Sequence, residues 1–403
     1  MLGKGALIYV VGVAMLFSFY TVKMNKFAVQ TSDHFLAQYI GTLNHESAMS
    51  GMNMGINEVW ANNTTNATFM VIQPPCTTNV TISPLGSDTV IVKAIARTRV
   101  YDADYYAVHS TRQQILDSSF AIFTSKTPLT AFCYFTNKDY GQKWEAGDTA
   151  WAAVHTNHLL HAKDGVFYGK VTALKNIAPK PTAGGTDAEY HAGWEVGINS
   201  PLPTASLATL HWVAILSNGL NPMNSKCLYD SELKLHFLAN GNVVRTVGAG
   251  VPDTVALATI APHGVIVSSE NIRVSGVVNG QITIHSNKTV YIDGDLTYAN
   301  DPLTDPLSDD IIGLTADVDV LITNNAANSD GVTIYAAIFA VREFQSQAGN
   351  SGVLRFVGSI AQDYRTTIVG YTRWTGYDPR FRTMSPPYYP KINGVLRLVT
   401  WWE

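Results

Sequence analysis

Charged residues are scarce in this chain of 403 residues. Lys and Arg number 27 and Asp and Glu 31, so only 14% of residues are charged and the net charge is −4, whereas soluble domains carry roughly 25% charged residues. Hydrophobic residues make up 46%, which excludes disorder for most of the chain because disorder requires low hydrophobicity and high charge. No cluster of Lys and Arg is present to neutralise phosphates, so no nucleic-acid partner is expected.

The sequence also lacks the spacing patterns of metal centres and enzymes. Cys76, Cys133 and Cys227 form no CxxC pair, which leaves buried thiols or one disulfide with a free thiol as alternatives. GxSxG, P-loop and GxGxxG motifs are missing, and His45-Glu46 lacks the second His of HExxH. We therefore expect no enzyme activity, no catalytic residue and no cofactor.

The N-terminus contains a long uncharged run. No charge occurs from Gly5 to Thr21, and Lys4 and Lys23 bracket the run. A helix of about 17 residues covers roughly 26 Å, just enough to span a hydrocarbon core. A cleaved secretory signal is the competing interpretation, but the small-residue A-x-A site is absent. The run predicts a membrane-spanning helix.

The helical pattern continues beyond this run. No proline occurs before Pro74, and Asn62–Asn66 has the composition of a turn. Apolar residues three and four apart mark one helical face: Leu36, Tyr39, Ile40, Leu43, Met49, Met52, Ile56, Val59 and Trp60. The sequence predicts one helix over residues 5–60, about 80 Å long, with its first third apolar all round and the remainder amphipathic.

An amphipathic continuation needs a surface to cover its apolar face. A plain membrane anchor needs only the apolar third, so self-assembly of identical helices is predicted, with a signal anchor that holds one monomer as the alternative. The predicted assembly residues are Ala6, Leu7, Ile8, Val10, Val13, Leu16, Phe17, Phe19, Phe27, Leu36, Ile40 and Leu43.

This N-terminus resembles that of type IV pilins and pseudopilins. The leader in that family ends in Gly, a place that Gly3 or Gly5 can fill. The family usually has a Glu five residues into the mature helix, and cleavage after Gly5 would put Val10 at that position. Some minor pilins also lack this Glu.

The rest of the chain follows a two-residue period with Gly- and Asn-rich turns, as in Thr89–Ala96 and Gln281–His285. An apolar-x-small-x-apolar pattern recurs every 17 to 22 residues within each of two groups of copies. Its small residues are Ala152, Gly169, Gly276, Gly294, Ala316, Ala336 and Gly358. About twenty residues per coil is typical of a parallel β-solenoid, in which no coil is stable alone. A β-sandwich is the alternative.

The predicted fold class is mainly β with one long N-terminal α-helix. The expected parts are a membrane or filament-core helix (residues 1–62), a small β-domain (67–140), a β-solenoid-like domain (147–380) and a C-terminal arm and strand (381–403). An insertion is predicted over residues 174–265, with a hairpin that turns at Asn240-Gly241. The apolar end of the chain, which includes Val395, Leu396, Leu398, Val399, Trp401 and Trp402, predicts a final strand. It docks either on its own chain or on a neighbouring subunit.

Two sets of side chains are candidate metal ligands. His155, His158 and His161 are close in sequence, but residues i and i+3 of a strand point to opposite faces. Asp293, Asp295 and Asp301 lie in an acidic stretch without EF-hand spacing. Both sets are weak candidates, and polar turn residues are the preferred interpretation.

Taken together, the chain resembles an uncharacterised family of bacterial envelope proteins with a pilin-like N-terminus, labelled pilus-assembly PilX-like. The matching stretches are Gly147–Asn157, Phe167–Val171, Asn324–Asn328, Tyr377–Arg380, Pro386–Pro390 and Trp401–Trp402. The resemblance implies no activity and no catalytic residue.

The predicted function is a structural subunit of an extracellular pilus-like filament, a helical homo-oligomer. Its precursor would be anchored in the inner membrane of a bacterial envelope. The alternatives are a minor pilin or membrane-anchored surface adhesin, and a surface polysaccharide-active β-solenoid enzyme.

Overall fold

A computed structural model of the chain describes residues 2–62, 64–85, 89–99, 114–139, 141–179, 181, 187–305 and 307–402. The predicted fold class is confirmed: the protein is mainly β with one long N-terminal helix. The chain divides into two compact units. Unit 1 comprises the residues up to Lys126 and those from Gly394 onward, and unit 2 comprises Thr127–Asn393. The predicted boundary at residue 140 is therefore displaced to residue 126.

The described residues form mostly short strands. The helices are α1 (Leu2–Asn62), α2 (Leu207–Asn218) and α3 (Leu257–Ile260). The strands of the first half are β1 (Ala67–Gln73), β2 (Cys76–Pro84), β3 (Thr89–Arg99), β4 (Gln114–Pro128), β5 (Phe132–Asp139), β6 (Lys143–Trp144), β7 (Thr149–Ala150), β8 (Ala153–Thr156), β9 (Leu159–Ala162), β10 (Val166–Phe167), β11 (Val171–Ala173), β12 (Asn176–Ala178), β13 (Glu189–Tyr190) and β14 (Trp194–Val196). Those of the second half are β15 (Leu228–Tyr229), β16 (Leu233–Phe237), β17 (Asn242–Val247), β18 (Asp253–Ala256), β19 (Val265–Ser268), β20 (Ile272–Val278), β21 (Gln281–Ser286), β22 (Val290–Tyr298), β23 (Ile311–Ala316), β24 (Asp319–Ile322), β25 (Gly331–Ala340), β26 (Glu343–Ser346), β27 (Val353–Arg365), β28 (Thr372–Gly376) and β29 (Lys391–Trp402).

Unit 1 is a five-stranded sheet with the helix α1 on one face. The sheet order is β1-β2-β3-β4-β29, and β1 to β4 pair antiparallel. Buried residues alternate along β2, which is the period expected when one face of a sheet is covered. The core contains side chains of α1 and of the sheet: Met52, Val59, Val80, Ile82, Val90, Val92, Ala94, Ala121 and Phe123.

The final strand docks on its own chain, which is one of the two predicted alternatives. Strand β29 extends the unit 1 sheet beside β4. The Trp401 indole N–H donates to Ser119 Oγ at 3.3 Å, and the Ser119 hydroxyl donates to the Trp402 carbonyl at 3.1 Å. The side chains of Val395, Leu396 and Leu398 lie outside the described part of the structure.

Unit 2 consists of stacked parallel strands. One stack runs β15-β19-β21-β23-β25-β27-β5-β8-β11-β14, and every neighbouring pair in it is parallel. A second stack runs β16-β20-β22, and shorter parallel stacks are formed by β6-β9-β12 and β7-β10-β13. This pairing of each strand with the equivalent strand of the next winding is the pattern that a coiled parallel β-fold produces.

The order of the stack corrects the predicted layout of an insertion over residues 174–265. Strands β12, β13 and β14 are the last strands of the stacks β6-β9-β12, β7-β10-β13 and β5-β8-β11-β14, whereas β15 and β16 are the first strands of the later group of windings, which ends with β27 and β28. Strand β27 of the later group pairs with β5, the first strand of the earlier group. The windings formed by β15 to β28 therefore stack on the side of the earlier group where β5 lies. Residues 197–227, which contain α2, connect the two ends. The hairpin is confirmed, since β16 and β17 pair antiparallel around Gly241, whose φ is +81°.

The predicted repeat is correct in two places and wrong in others. Gly169 lies against Ala152, and Gly358 pairs with Ala336. Ala316, however, pairs with Ala340. Gly276 pairs with Leu296 instead of Gly294, because a register shift follows Val274. The windings differ in loop length, so equal sequence spacing does not place small residues at equal positions.

Candidate assembly surface

The first half of α1 is bare. Its apolar side chains are exposed all round the helix, from Leu7 to Tyr39: Leu7, Ile8, Tyr9, Val10, Val11, Met15, Leu16, Phe17, Phe19, Tyr20, Val22, Met24, Phe27, Val29, Phe35, Leu36 and Tyr39. Fully burying one such side chain is worth about 1.5–3 kcal/mol. The uncharged part, up to Val22, is apolar all round, and such a helix is normally buried in a protein or a membrane. We call residues 7–39 the bare half of α1.

The helix is long enough to cross a membrane. Its 61 residues correspond to about 90 Å, against a hydrocarbon core of about 30 Å. An apolar window that could span a membrane lies within Leu7–Val59, and none of this window is buried inside the protein. Length and composition therefore fit a membrane anchor or a signal sequence.

Two threonine hydroxyls of the bare half are satisfied by the helix itself. Thr21 Oγ1 donates to the carbonyl of Phe17 at 2.8 Å, and Thr31 Oγ1 donates to that of Phe27 at 2.8 Å. Such bonds to the preceding turn remove the need for water. The Lys23 ammonium lies 5.4 Å from the centre of the Phe19 ring. These contacts allow the bare half to enter an apolar environment without leaving these hydroxyls unpaired.

The second half of α1, residues 40–62, packs on the unit 1 sheet. Gly51 and Gly55 face the sheet so closely that an added Cβ would lie 2.6 Å from Thr78 Cγ2 and 2.5 Å from Val92 Cγ1, respectively. Two glycines four residues apart lie on one helical face and permit a close approach. Apolar periodicity does not reveal this pair, although its spacing is visible in the sequence.

Polar contacts fix the same interface. Ser47 Oγ and Thr78 Oγ1 are 2.7 Å apart, and Thr98 Oγ1 donates to Asn44 Oδ1 at 2.6 Å. His45 Nδ1 is 3.0 Å from Asp117 Oδ2. Buried hydroxyl and amide groups pair here across helix and sheet, so the amphipathic face has a partner in its own unit.

The predicted assembly residues therefore divide into two sets. Leu7, Ile8, Val10, Leu16, Phe17, Phe19, Phe27 and Leu36 are exposed, and Val13 is partly exposed on the same bare half. Ile40 is buried inside unit 1, so it is not free on the surface as predicted, and Leu43 is only partly exposed. The apolar face beyond residue 40 covers its own sheet instead of another copy. The side chain of Ala6 lies outside the described residues.

The acidic candidates for metal ligands have protein partners. Asp293 pairs with Arg273 at 3.0 Å, and Asp295 accepts the backbone N–H of Thr333 at 2.7 Å. Asp301 accepts a backbone N–H two residues along at 2.9 Å. These are ion-pair and turn contacts. In the part of the chain that the structure describes, no three His, Cys, Asp or Glu residues are grouped to hold a metal ion.

The histidines and cysteines also have structural surroundings. His155 Nδ1 lies 2.8 Å from Thr172 Oγ1 and its Nε2 lies 2.9 Å from Asn157 Oδ1, so both ring nitrogens are occupied. Burial lowers the pKa of His155 and keeps the ring neutral. Cys76, Cys133 and Cys227 are all free thiols.

Comparisons of this chain with known protein families, curated proteins and solved structures found no match.

Proposed function

We propose that this protein is a structural subunit of an extracellular pilus-like filament. The bare half of α1 anchors the subunit in a membrane before assembly and packs against the helices of other copies in the filament. The proposal keeps identical subunits as partners and a bacterial envelope as the location. It invokes no catalysis.

One observation carries the proposal: the bare half extends past the charged residues that end the membrane-spanning run. Beyond Lys23 and Lys26, the apolar side chains of Phe27, Phe35 and Tyr39 remain exposed, Phe35 at 73%. A membrane span of about 20 residues ends near Lys23 or Lys26, so a monomeric anchor would leave these side chains in water. A second copy of the helix covers them.

The construction of unit 1 supports the same conclusion. One continuous helix is bare in its first half and rests on an antiparallel sheet in its second half. This division lets a folded unit present an apolar helix without exposing its own core. It is also the architecture implied by the resemblance to type IV pilins.

Electron microscopy of negatively stained material sheared from cells that produce the chain tests the proposal. Regular filaments composed mainly of this chain are expected. Leu16→Asp should abolish them, because a charge at an apolar site costs several kcal/mol per subunit. Met54→Asp is the matched control, since Met54 is half exposed on the packed half of α1.

Two other outcomes would contradict the proposal. A chain found only in membranes, without filaments, is a monomeric anchor or adhesin. A chain present in trace amounts in filaments of another protein is a minor subunit.

A further inference from the structure

A cleft opens in unit 2 where the long strand β27 changes partners. Its first part, Val353–Val357, pairs with β28, whereas its last part, Ile360–Arg365, pairs with β5. The two partner strands part at Gly358 and Ser359. Gly358 is required there, because an added Cβ would lie 1.9 Å from the Ala336 carbonyl oxygen. The resulting cleft has a volume of about 290 Å³.

Aromatic side chains form much of the cleft wall. They come from strands on both sides of the gap: Tyr134, Trp144, Trp151, Phe356, Trp374 and Tyr377. Trp374 is 46% exposed, and its ring is held in place from two sides. The Arg355 guanidinium lies 4.7 Å from the ring centre, and a Cβ at Gly376 would lie 3.2 Å from the ring. The cleft thus presents a preformed aromatic surface.

A ladder of stacked rings leads to the same cleft. Trp151 stacks on Tyr168 with ring centres 4.9 Å apart and an interplanar angle of 8°. Tyr168 stacks in turn on His191, with ring centres 4.7 Å apart. Each of these residues directly follows a strand of the β7-β10-β13 stack, so the repeat of the windings aligns the rings. Trp151 is both the end of this ladder and part of the cleft wall.

Hydrogen-bonding groups lie among the aromatic rings. Gln362 is buried, and its Nε2 donates to the Tyr134 hydroxyl at 2.5 Å. Since the Tyr134 oxygen accepts this bond, its own proton remains for another acceptor. Burial raises the pKa of Tyr134 to about 12, so that proton is retained at neutral pH. Two further buried atoms, Trp144 Nε1 and Thr366 Oγ1, have no hydrogen-bond partner in the described structure.

The polar groups of the cleft wall include the Tyr134 hydroxyl and three charged side chains. Trp144 lines the cleft with its ring, whereas its Nε1 has almost no accessible surface and lies out of reach of a ligand in the cleft. The charged groups of the wall, Asp148, Arg365 and Arg373, include both signs, and Arg365 is already paired with Asp139 at 3.4 Å.

We propose that this cleft binds a saccharide unit of a glycan. The C–H faces of a pyranose ring are apolar and stack on aromatic rings, whereas its hydroxyl groups need donors and acceptors around its rim. A purely apolar ligand would make no use of the Tyr134 hydroxyl proton or of Asp148 and Arg373 in the wall. The cleft lies entirely in unit 2, so binding there does not depend on the assembly of α1.

Binding of defined oligosaccharides to the full chain in detergent micelles tests this inference. Neutral hexose and uronic-acid oligosaccharides are titrated, and tryptophan fluorescence and calorimetry report binding. We expect at least one saccharide to bind with a Kd of about 1 mM or tighter. Trp374→Ala should weaken that binding about tenfold or more. Tyr134→Phe keeps the ring but removes the hydroxyl group, and a loss of about fivefold is expected.

Trp212→Ala is the matched control, because Trp212 is 66% exposed on α2 and does not line the cleft. It should leave affinity unchanged. The inference is overturned if no saccharide binds at about 10 mM. It is equally overturned if binding survives both cleft substitutions, or if the cleft takes an apolar dye that no saccharide displaces.

Discussion

Unit 1 and unit 2 cover their apolar strands in different ways. Unit 1 has one antiparallel sheet, and a single helix half closes its core through Gly51, Gly55 and Met52. Unit 2 distributes its core over many windings, each of which packs on the next. Unit 1 therefore depends on one interface, whereas unit 2 depends on the close approach of consecutive strands. Substitutions that add a methyl group or more at these contacts show how strongly the stability of each unit depends on its close packing.

The largest effect is expected at Gly358 in unit 2. An added Cβ there meets a backbone carbonyl at 1.9 Å, and backbone atoms of stacked strands cannot move aside cheaply. Gly358→Ala should lower the free energy of unfolding of unit 2 by about 3–5 kcal/mol. Hydrogen exchange of β25 and β27, measured on the full chain, checks this.

Gly294→Ala is the matched control for this substitution. The sequence repeat assigns Gly294 to the same position as Gly358, but an added Cβ at Gly294 makes only ordinary contacts at 3.6 Å. It should change stability by less than about 0.5 kcal/mol. Equal effects of the two substitutions would contradict the strand register described for unit 2.

A smaller loss is expected at the helix–sheet interface of unit 1. Valine at Gly55 would collide with side chains of Val92 and Val80, which can shift partly. Gly55→Val should destabilise unit 1 by about 2–3 kcal/mol, seen as faster hydrogen exchange in β2 and β3. Gly41→Val provides the comparison, because nothing lies within 4 Å of an added Cβ there. If both substitutions were equally mild, α1 would not pack on the sheet as described.

The next effect concerns pH and a histidine of unit 2. Burial lowers the pKa of His285 to about 3, and the His211 ring, 5.1 Å away, acts in the same direction. Hydrogen bonds with the Thr315 backbone and the Asn287 side chain act in the opposite direction and raise the pKa. Below the ordinary pKa of about 6.5 the unfolded chain binds a proton that the folded chain does not. Stability is thus complete above pH 6.5 and falls as the pH decreases towards 3.

Urea unfolding at two pH values measures this effect. The contribution of His285 should make unit 2 about 2 kcal/mol less stable at pH 5 than at pH 7. His285→Asn should reduce this difference, whereas His236→Asn, at an exposed position on β16, should not. An unchanged pH dependence in the His285 variant would exclude His285 as the cause.

The sequence predicted the parts of the fold that depend on local pattern. The absence of proline before Pro74 and the apolar spacing indicate the long helix, which extends from Leu2 to Asn62. The Asn240-Gly241 pair indicates the hairpin, because a tight turn needs a positive φ at the glycine. These features are encoded by neighbouring residues.

Long-range order could not be predicted in the same way. The pairing of β27 with β5 joins residues more than 200 positions apart, and no local pattern specifies it. The aromatic residues of the cleft come together through this pairing, so no sequence motif marks them. Apolar spacing indicates the amphipathic face of α1, but it cannot say whether the covering surface is another copy or the chain's own sheet. The unit 1 sheet is the partner of this face at Met52, Ile56 and Val59.

The bare half of α1 belongs to neither core, and the central claim is that it packs against the helices of other copies. The most direct test is the filament yield of the double variant Phe27→Ser, Phe35→Ser. Both side chains lie beyond Lys23 and Lys26, so the uncharged membrane-spanning run is unchanged and the chain should remain in the membrane fraction. Both are exposed and contact neither core.

The yield of filaments is measured by sedimentation of material sheared from cells that produce this variant. It should fall about tenfold or more, because two apolar side chains of the bare half that pack against other copies are lost. Hydrogen exchange in units 1 and 2 should not change. A normal yield of filaments from the double variant would contradict assembly through the bare half.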